Sequence, residues 1–339
     1  MKIVFMGTPD FAVESLEAIH EAGHEILMVV SQEDKAKGRK GIIEKTPVKK
    51  AAESLGIPVL STKRLREDRD CIERIRSLAP DCIVVTAFGQ ILPKEVLDIP
   101  RIAPINVHAS LLPRYRGASP IQQAVLMGDK ESGITTMRMA EGLDTGDILV
   151  QDKLNLEPGE TAESLFLKLG TLSRSSIIKT LEELEKGGIS PIPQKEEEAS
   201  YTGIIKKKDG FINWNLEAIV IERKVRGYIP WPNAISILPN GKSFKIWKAD
   251  VAEEKREALL SLGKIQTEDI EKYLAEKMQE AYIPEEGRGE FFSSKDKKEL
   301  FITTGKGLLK VEELQVEGKN RMPAAEFLRG YVVGDGKKR

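Results

Sequence analysis

Cys82-Ile83-Val84-Val85-Thr86-Ala87 is the stretch on which the fold turns. Extended chain sends alternate side chains to opposite faces, and here both faces are almost wholly apolar. A strand of that kind belongs in the middle of a parallel sheet, with helices above and below it. Further on, Ala103–His108 has the same character. Toward the N-terminus stand Val59-Leu60, Glu25–Val30 and Lys2–Met6. Between these runs the apolar spacing lengthens to the helical period. It predicts helices from Pro9-Asp10 to Ala22, over Pro47–Leu55, over Arg69–Leu78 and over Gly117–Met127. Strands alternating with helices predict an α/β domain, its parallel sheet covered by helices on both sides.

Thr161–Lys186 is a long helical pattern stopped by Gly187-Gly188. The composition then shifts. Ser190–Thr202 (SPIPQKEEEASYT) has two prolines and three consecutive glutamates and reads as a linker. Beyond it a helix near Leu216–Arg226 precedes short strands at Ala234–Leu238 and Phe244–Lys248, with the turn pair Asn240-Gly241 between them. More strands are expected at Glu299–Thr304 and Leu308–Leu314, which suggests a small β-barrel. The expected organisation is a first domain over 1–189, a linker over 190–206, a second domain over 207–333 and a tail over 334–339.

With 339 residues, 40% hydrophobic and 31% charged, the composition is that of an ordinary globular protein large enough for two cores. The formal net charge is −1, so nucleic acid could be attracted only by local basic patches. One lies in Ser31–Lys50, with seven basic and three acidic residues, hence +4. Residues 253–290 carry eleven acidic and six basic residues, hence −5. The rest of Lys207–Arg339 carries nineteen basic and eleven acidic, hence +8. An acidic helical insertion over about 253–290 is therefore expected in an otherwise basic second domain. Cys71 and Cys82 have no zinc spacing and are too few for a disulfide framework. No signal peptide and no apolar run long enough for a membrane span is found. The expected setting is the cytoplasm, with no membrane partner and no metal.

The chemistry-bearing residues cluster in two places. Asn106 and His108 lie two apart on the strand ending at His108, so they share a face at the C-terminal end of a parallel strand. Open α/β sheets put their sites there. An amide can donate to a developing oxyanion, and a neutral imidazole can accept a proton from an attacking amine. That pairing suits acyl transfer to nitrogen. The following loop, Ser110–Pro120 (SLLPRYRGASP), is stiffened by proline. Gly142-Leu143-Asp144-Thr145-Gly146-Asp147 then offers two carboxylates, Asp144 and Asp147, either of which could orient the imidazole. Gly7-Thr8-Pro9-Asp10 is not a dinucleotide-binding fingerprint.

The string Asn106-Val107-His108-Ala109-Ser110-Leu111-Leu112-Pro113-Arg114-Tyr115-Arg116-Gly117 closely resembles the signature of the folate-dependent formyltransferases. Gly142-Leu143-Asp144-Thr145-Gly146 resembles their second motif. The resemblance implies a Rossmann-like catalytic domain followed by an OB-like barrel. It also implies a catalytic triad of Asn106, His108 and Asp144, with 10-formyltetrahydrofolate as the formyl donor and attack without a covalent enzyme intermediate. The folate pocket it implies comprises Ser110, Leu111, Leu112 and Pro113 with Phe88, Gly89, Gln90, Ile91 and Leu92. Gly7-Thr8-Pro9-Asp10-Phe11 and Trp231-Pro232 extend the likeness to the branch that formylates methionine on initiator tRNA. In that branch the 31–47 loop touches tRNA, which implies contacts from Lys35, Lys37, Arg39 and Lys40. This loop departs from the branch pattern: Glu33 and Lys37 stand where prolines are common, and Gly41-Ile42 replaces a basic pair. A monomer binding initiator methionyl-tRNA is the expectation. The alternatives are a formyltransferase acting on a sugar-nucleotide amine, a formyl hydrolase, and a non-catalytic folate or tRNA binder.

Overall fold

The computed structural model describes residues 1–37, 42–238, 241–252, 263–265, 288–294 and 296–330. Arg39 and Lys40, Asn240 of the expected turn and most of the expected acidic insertion lie outside the described residues. Lys35 and Lys37 are described in their backbone alone. The chain divides into two compact units, one formed by 1–124, 130–157 and 164–203, the other by 125–129, 158–163 and 204–339.

The first unit begins β1 (Lys2–Gly7), α1 (Asp10–Glu21), β2 (Glu25–Gln32), β3 (Lys35–Lys37) and β4 (Ile42–Glu44). It continues α2 (Pro47–Ser54), β5 (Val59–Thr62), α3 (Arg69–Ser77), β6 (Cys82–Thr86), α4 (Lys94–Leu97), β7 (Ala103–His108) and β8 (Arg116–Gly117). Then come α5 (Pro120–Met127), β9 (Glu131–Arg138), β10 (Ile148–Asn155), α6 (Ala162–Lys186) and β11 (Tyr201–Thr202). The main sheet runs β10-β9-β7-β6-β1-β2-β5. Its strands β1, β2, β5, β6 and β7 are mutually parallel, as expected, with Val84 of β6 beside both Phe5 and Ile105.

β9 and β10, which the sequence pattern did not disclose, extend the sheet antiparallel beyond β7. The expected parallel sheet is present and gains an antiparallel pair at one edge. Glu131–Arg138 escaped notice because Ser132, Gly133, Thr135 and Thr136 interrupt its apolar run, although all are buried. The threonine hydroxyls are satisfied internally: Thr136 Oγ1 lies 2.7 Å from Thr180 Oγ1 of α6 and accepts from Val150 N at 3.1 Å.

Local chemistry explains the helix starts. Thr46 caps α2 by accepting from Lys49 N at 3.2 Å, and Pro47 already has helical φ. Asp68 caps α3 through Cys71 N at 3.1 Å, a contact of the kind that contributes about 1 kcal/mol. Ile72 and Ile75 of α3 pack with Val4, Met6, Ile83 and Val85 in one buried cluster. Each such side chain is stabilised by about 1.5–3 kcal/mol on leaving water. Elsewhere in this unit Phe11 of α1 meets Phe166 of α6 edge-on, with ring centroids 5.4 Å apart. Cys71 and Cys82 are free and buried, and burial pushes each thiol up to about 11.

In the second unit α7 (Ala218–Gly227) is followed by β12 (Ala234–Ile237), β13 (Ser243–Ala252), β14 (Gly263–Ile265) and β15 (Phe291–Ser293). After them come β16 (Leu300–Thr303), β17 (Leu308–Val316), β18 (Met322–Pro323) and α8 (Ala324–Gly330). The strands pair antiparallel in the order β12-β13-β17-β16-β15-β14, with β18 also on β17. Period-two patterning drives the start of β13: Phe244 and Ile246 face a core with Leu309, Val311 and Phe327, while Lys245 between them does not. Among the described residues no helix is long and apolar enough to cross a membrane.

Candidate active site

Two polar side chains of β7 meet a third, distant in sequence, at the strand's C-terminal end. Asn106 Nδ2 donates to Asp144 Oδ1 at 3.2 Å, and Asp144 Oδ2 lies 3.6 Å from His108 Nδ1. All three are largely buried, with Asn106 at 9% and His108 at 6% exposure. β7 delivers Asn106 and His108 on one face, as alternation requires. The loop between β9 and β10 brings Asp144 to them. Of the two carboxylates the sequence left open, Asp144 is the one in place. Asp147 is tied to β9 through its backbone carbonyl, which accepts from Arg138 N at 2.9 Å.

Asp144 holds this position against its own backbone preference, since its φ is +55°. The left-handed region costs a non-glycine residue about 1–2 kcal/mol, though aspartate tolerates it better than most. Opposing contacts hold the carboxylate. Besides Asn106, Gly117 N donates to Oδ2 at 2.8 Å. Gly117 must be glycine here: its φ is +106°, and a Cβ would run into the Thr202 carbonyl.

The imidazole is fixed from its other side. His108 Nε2 lies 2.9 Å from the Tyr115 carbonyl, which can only accept. The hydrogen-bond network therefore assigns the proton to Nε2 and leaves Nδ1, on the Asp144 side, as the basic atom. Protonated, the ring would donate at both ends, to Tyr115 O and toward Asp144.

The residues expected to line a folate pocket divide into two kinds. Phe88 (2% exposed) and Leu92 (5%) are core residues that anchor their loop. Gln90 spends both ends of its amide on the scaffold, accepting from Leu65 N at 2.7 Å and donating to Thr62 O at 3.1 Å. Gly89 turns the loop with φ +77°, and Ile91 is left 82% exposed, an apolar side chain with nothing over it. In the other segment Ser110 and Leu112 are buried, and Ser110 Oγ donates to Arg114 O at 2.6 Å. Leu111 and Pro113 are half-buried at the loop surface. The two segments follow β6 and β7, and one of them carries an uncovered apolar side chain, Ile91.

Three residues that sequence reasoning missed support this frame. Thr135, fully buried on β9, accepts from Leu112 N at 3.1 Å and donates to Ser110 O at 2.6 Å. Gln151 of β10 donates to Leu112 O at 2.9 Å. Gln194 donates to the carbonyls of Asp144 at 2.9 Å and Gly146 at 2.7 Å. No motif spacing signals them, because each acts through backbone that only the fold brings near. Gln194 lies inside the stretch expected to be a linker. That stretch is in fact hydrogen-bonded into the first unit as far as Thr202, with β11 paired to β8.

A cavity of about 720 Å³ opens elsewhere in this unit, lined by Glu33, Thr62, Lys63, Arg64, Asp68 and Asp70 among others. It includes none of the three converging side chains, and Arg64 is already paired with Glu67 at 3.1 Å. Chemistry rather than size therefore identifies the site.

Comparison with known proteins identifies the family. Residues 1–181 match the family model described as formyl transferase, and residues 204–332 match that of the formyl transferase C-terminal domain. A protein named methionyl-tRNA formyltransferase from Agathobacter rectalis is 44% identical over 99% of this chain and 98% of its own length. One of the same name from Caldanaerobacter subterraneus subsp. tengcongensis is 39% identical over 99% of each. Among solved structures, an N-formyltransferase from Helicobacter canadensis, in complex with folinic acid and dTDP-3-aminofucose, superposes with a TM-score of 0.63. It is 19% identical over 92% of this chain and 98% of that one, so it shares the fold. With both family models matched in order and full-length relatives at this identity, the chain belongs to the formyl transferase family, alongside the methionyl-tRNA formyltransferases.

Proposed function

We propose that this protein transfers the formyl group of 10-formyltetrahydrofolate to the α-amino group of methionine esterified to initiator tRNA. One observation carries the proposal: a largely buried carboxylate, Asp144, joins an amide and an imidazole at the end of β7. This occurs in a chain related end to end to proteins named for that reaction.

The donor supplies the formyl carbon and leaves as tetrahydrofolate. The remaining work falls to side chains. Asn106 spends one amide N–H on Asp144, and its second N–H is directed to the formyl oxygen, where negative charge develops. His108 accepts the amine proton at Nδ1, directly or through a water, the resulting imidazolium lies against Asp144, and the proton passes on to the folate nitrogen as its bond to the formyl carbon breaks. Asp144 stays ionised and supports that cation, as the third member of a triad does. No covalent bond to the enzyme is needed.

In this reading Gly89, Ile91, Leu111 and Pro113 line the folate slot, while Phe88, Gln90, Leu92, Ser110 and Leu112 hold its walls. Lys35, Lys37, Arg39 and Lys40 meet acceptor-stem phosphates, and the protein acts as a cytoplasmic monomer. The discriminating assay offers 10-formyltetrahydrofolate with methionyl-initiator tRNA, methionyl-elongator tRNA and an amino-sugar nucleotide. Initiator tRNA is expected to be the preferred acceptor by a wide margin. Preferential formylation of the sugar nucleotide would overturn the assignment. His108→Ala is expected to abolish transfer while leaving tRNA binding nearly intact.

A further inference from the structure

We infer that Gln194 is a positioning residue for the transfer, acting as a clamp that ties the Asp144 loop to the buried Arg116 guanidinium. This rests on the triad roles given above. The amide of Gln194 is used at both ends. Its Nε2 donates to the carbonyls of Asp144 and Gly146, and its Oε1 accepts from Arg116 Nε at 3.1 Å.

Arg116 makes that anchor firm. It is 1% exposed, and its Nη1 donates to Glu196 at 2.8 Å and to the Tyr201 hydroxyl at 2.7 Å. Burial alone would push its guanidinium down, but the bonds to Glu196 and Tyr201 outweigh burial and hold it above the ordinary value. A buried, permanently charged fork is the most rigid partner an amide can have.

The same chain segment also sets the position of Tyr115, the residue whose carbonyl fixes the imidazole. Tyr115 has φ +61°, and its N–H donates to Ser200 Oγ at 2.9 Å. Arg116 N then donates to Ser200 O at 2.8 Å. Both unfavourable backbone conformations at the site, at Tyr115 and Asp144, are thus held by residues 194–202. Loss of the Gln194 contacts frees the Asp144 carbonyl, lets the backbone relax from φ +55°, and moves the carboxylate relative to Nδ1. A misplacement of about 1 Å lowers turnover by roughly a hundredfold.

Two substitutions test the clamp. Gln194→Met keeps length and volume but removes every polar contact. Gln194→Glu keeps an acceptor for Arg116 while losing the donor to the two carbonyls. Each is expected to lower kcat by about 10–100-fold, with KM for folate and for tRNA within about twofold of the parent. In an Asp144→Asn background the same substitutions are expected to change kcat by less than about twofold, because the clamp acts through Asp144. Either an equal fall in both backgrounds or a loss accounted for by the fraction unfolded in a parallel melting curve would overturn the inference. So would near-parental kcat in the folded variants. A parent enzyme that fails to formylate methionyl-tRNA would instead sink the functional reading itself, so the two failures are distinguishable.

Discussion

Replacing Asp144 by asparagine removes one charge from the site and little else, which makes its effect calculable. Asparagine is nearly isosteric with aspartate and tolerates the left-handed φ of +55° at this position, so the loop should hold its course. What disappears is the anion 3.6 Å from His108 Nδ1. At an effective dielectric of about 20, two unit charges at that distance attract by roughly 4–5 kcal/mol. The attraction exists only once the imidazole has taken a proton, so it belongs to the transition state and not to the resting enzyme. A loss of that size corresponds to about a thousandfold in rate. Asparagine can still accept from either Asn106 Nδ2 or Gly117 N, but its own NH2 must face the other donor, which adds to the loss. Single-turnover transfer from 10-formyltetrahydrofolate to methionyl-initiator tRNA, followed by rapid quench, isolates the chemical step. The expected result is a rate lowered by about 10³-fold with KM for both substrates within a few-fold. A folded Asp144→Asn protein retaining more than about a tenth of parental kcat would refute the electrostatic role. So would a loss expressed entirely in KM.

Two further predictions concern the scaffold. Thr135→Val preserves shape but leaves Leu112 N–H and Ser110 C=O without their buried partner. Denaturant unfolding should show about 1–3 kcal/mol less stability, with KM for the folate donor raised several-fold, and a stability loss below about 0.5 kcal/mol would contradict it. In the second unit, burial pushes the Lys224 ammonium down to about 8, against an ordinary value of 10.5. Below pH 8 the folded protein therefore carries the full desolvation penalty, about 3 kcal/mol, because the proton is bound in both states. Between about pH 8 and 10.5 the unfolded chain still binds a proton that the folded chain has released, so the penalty fades and stability rises with pH. Lys224→Met should accordingly be stabilised relative to the parent at pH 7, and that advantage should shrink toward pH 10.5 when both unfolding curves are measured across the range. An advantage independent of pH would assign the effect to packing.

The five parallel strands and the helices α1, α2 and α3 between them were legible because their signals are local. Near-continuous apolar runs, proline and threonine at helix starts, and glycine at helix ends each act within a few residues. The pairing of Asn106 with His108 was legible for the same reason, since the two-residue period of a strand puts them on one face whatever surrounds them. β9 and β10 were not, because buried Thr135 and Thr136 look polar in sequence, and only the neighbouring chain that satisfies their hydroxyls makes burial tolerable.

What the amino-acid sequence determined by itself, then, was the parallel part of the sheet, the strand that carries the site, and the amide and imidazole standing on it. Which carboxylate completes the group was decided by tertiary structure. Asp144 and Asp147 share the same glycine-framed turn, and only the antiparallel excursion through β9 and β10 brings one of them to β7. The same is true of Gln194, in a stretch whose composition reads as a tether. Its function lies in two carbonyl contacts with residues about fifty positions away. Hydrogen bonds to backbone leave no trace in residue type at the accepting end, so such partners become visible only when the chain has folded.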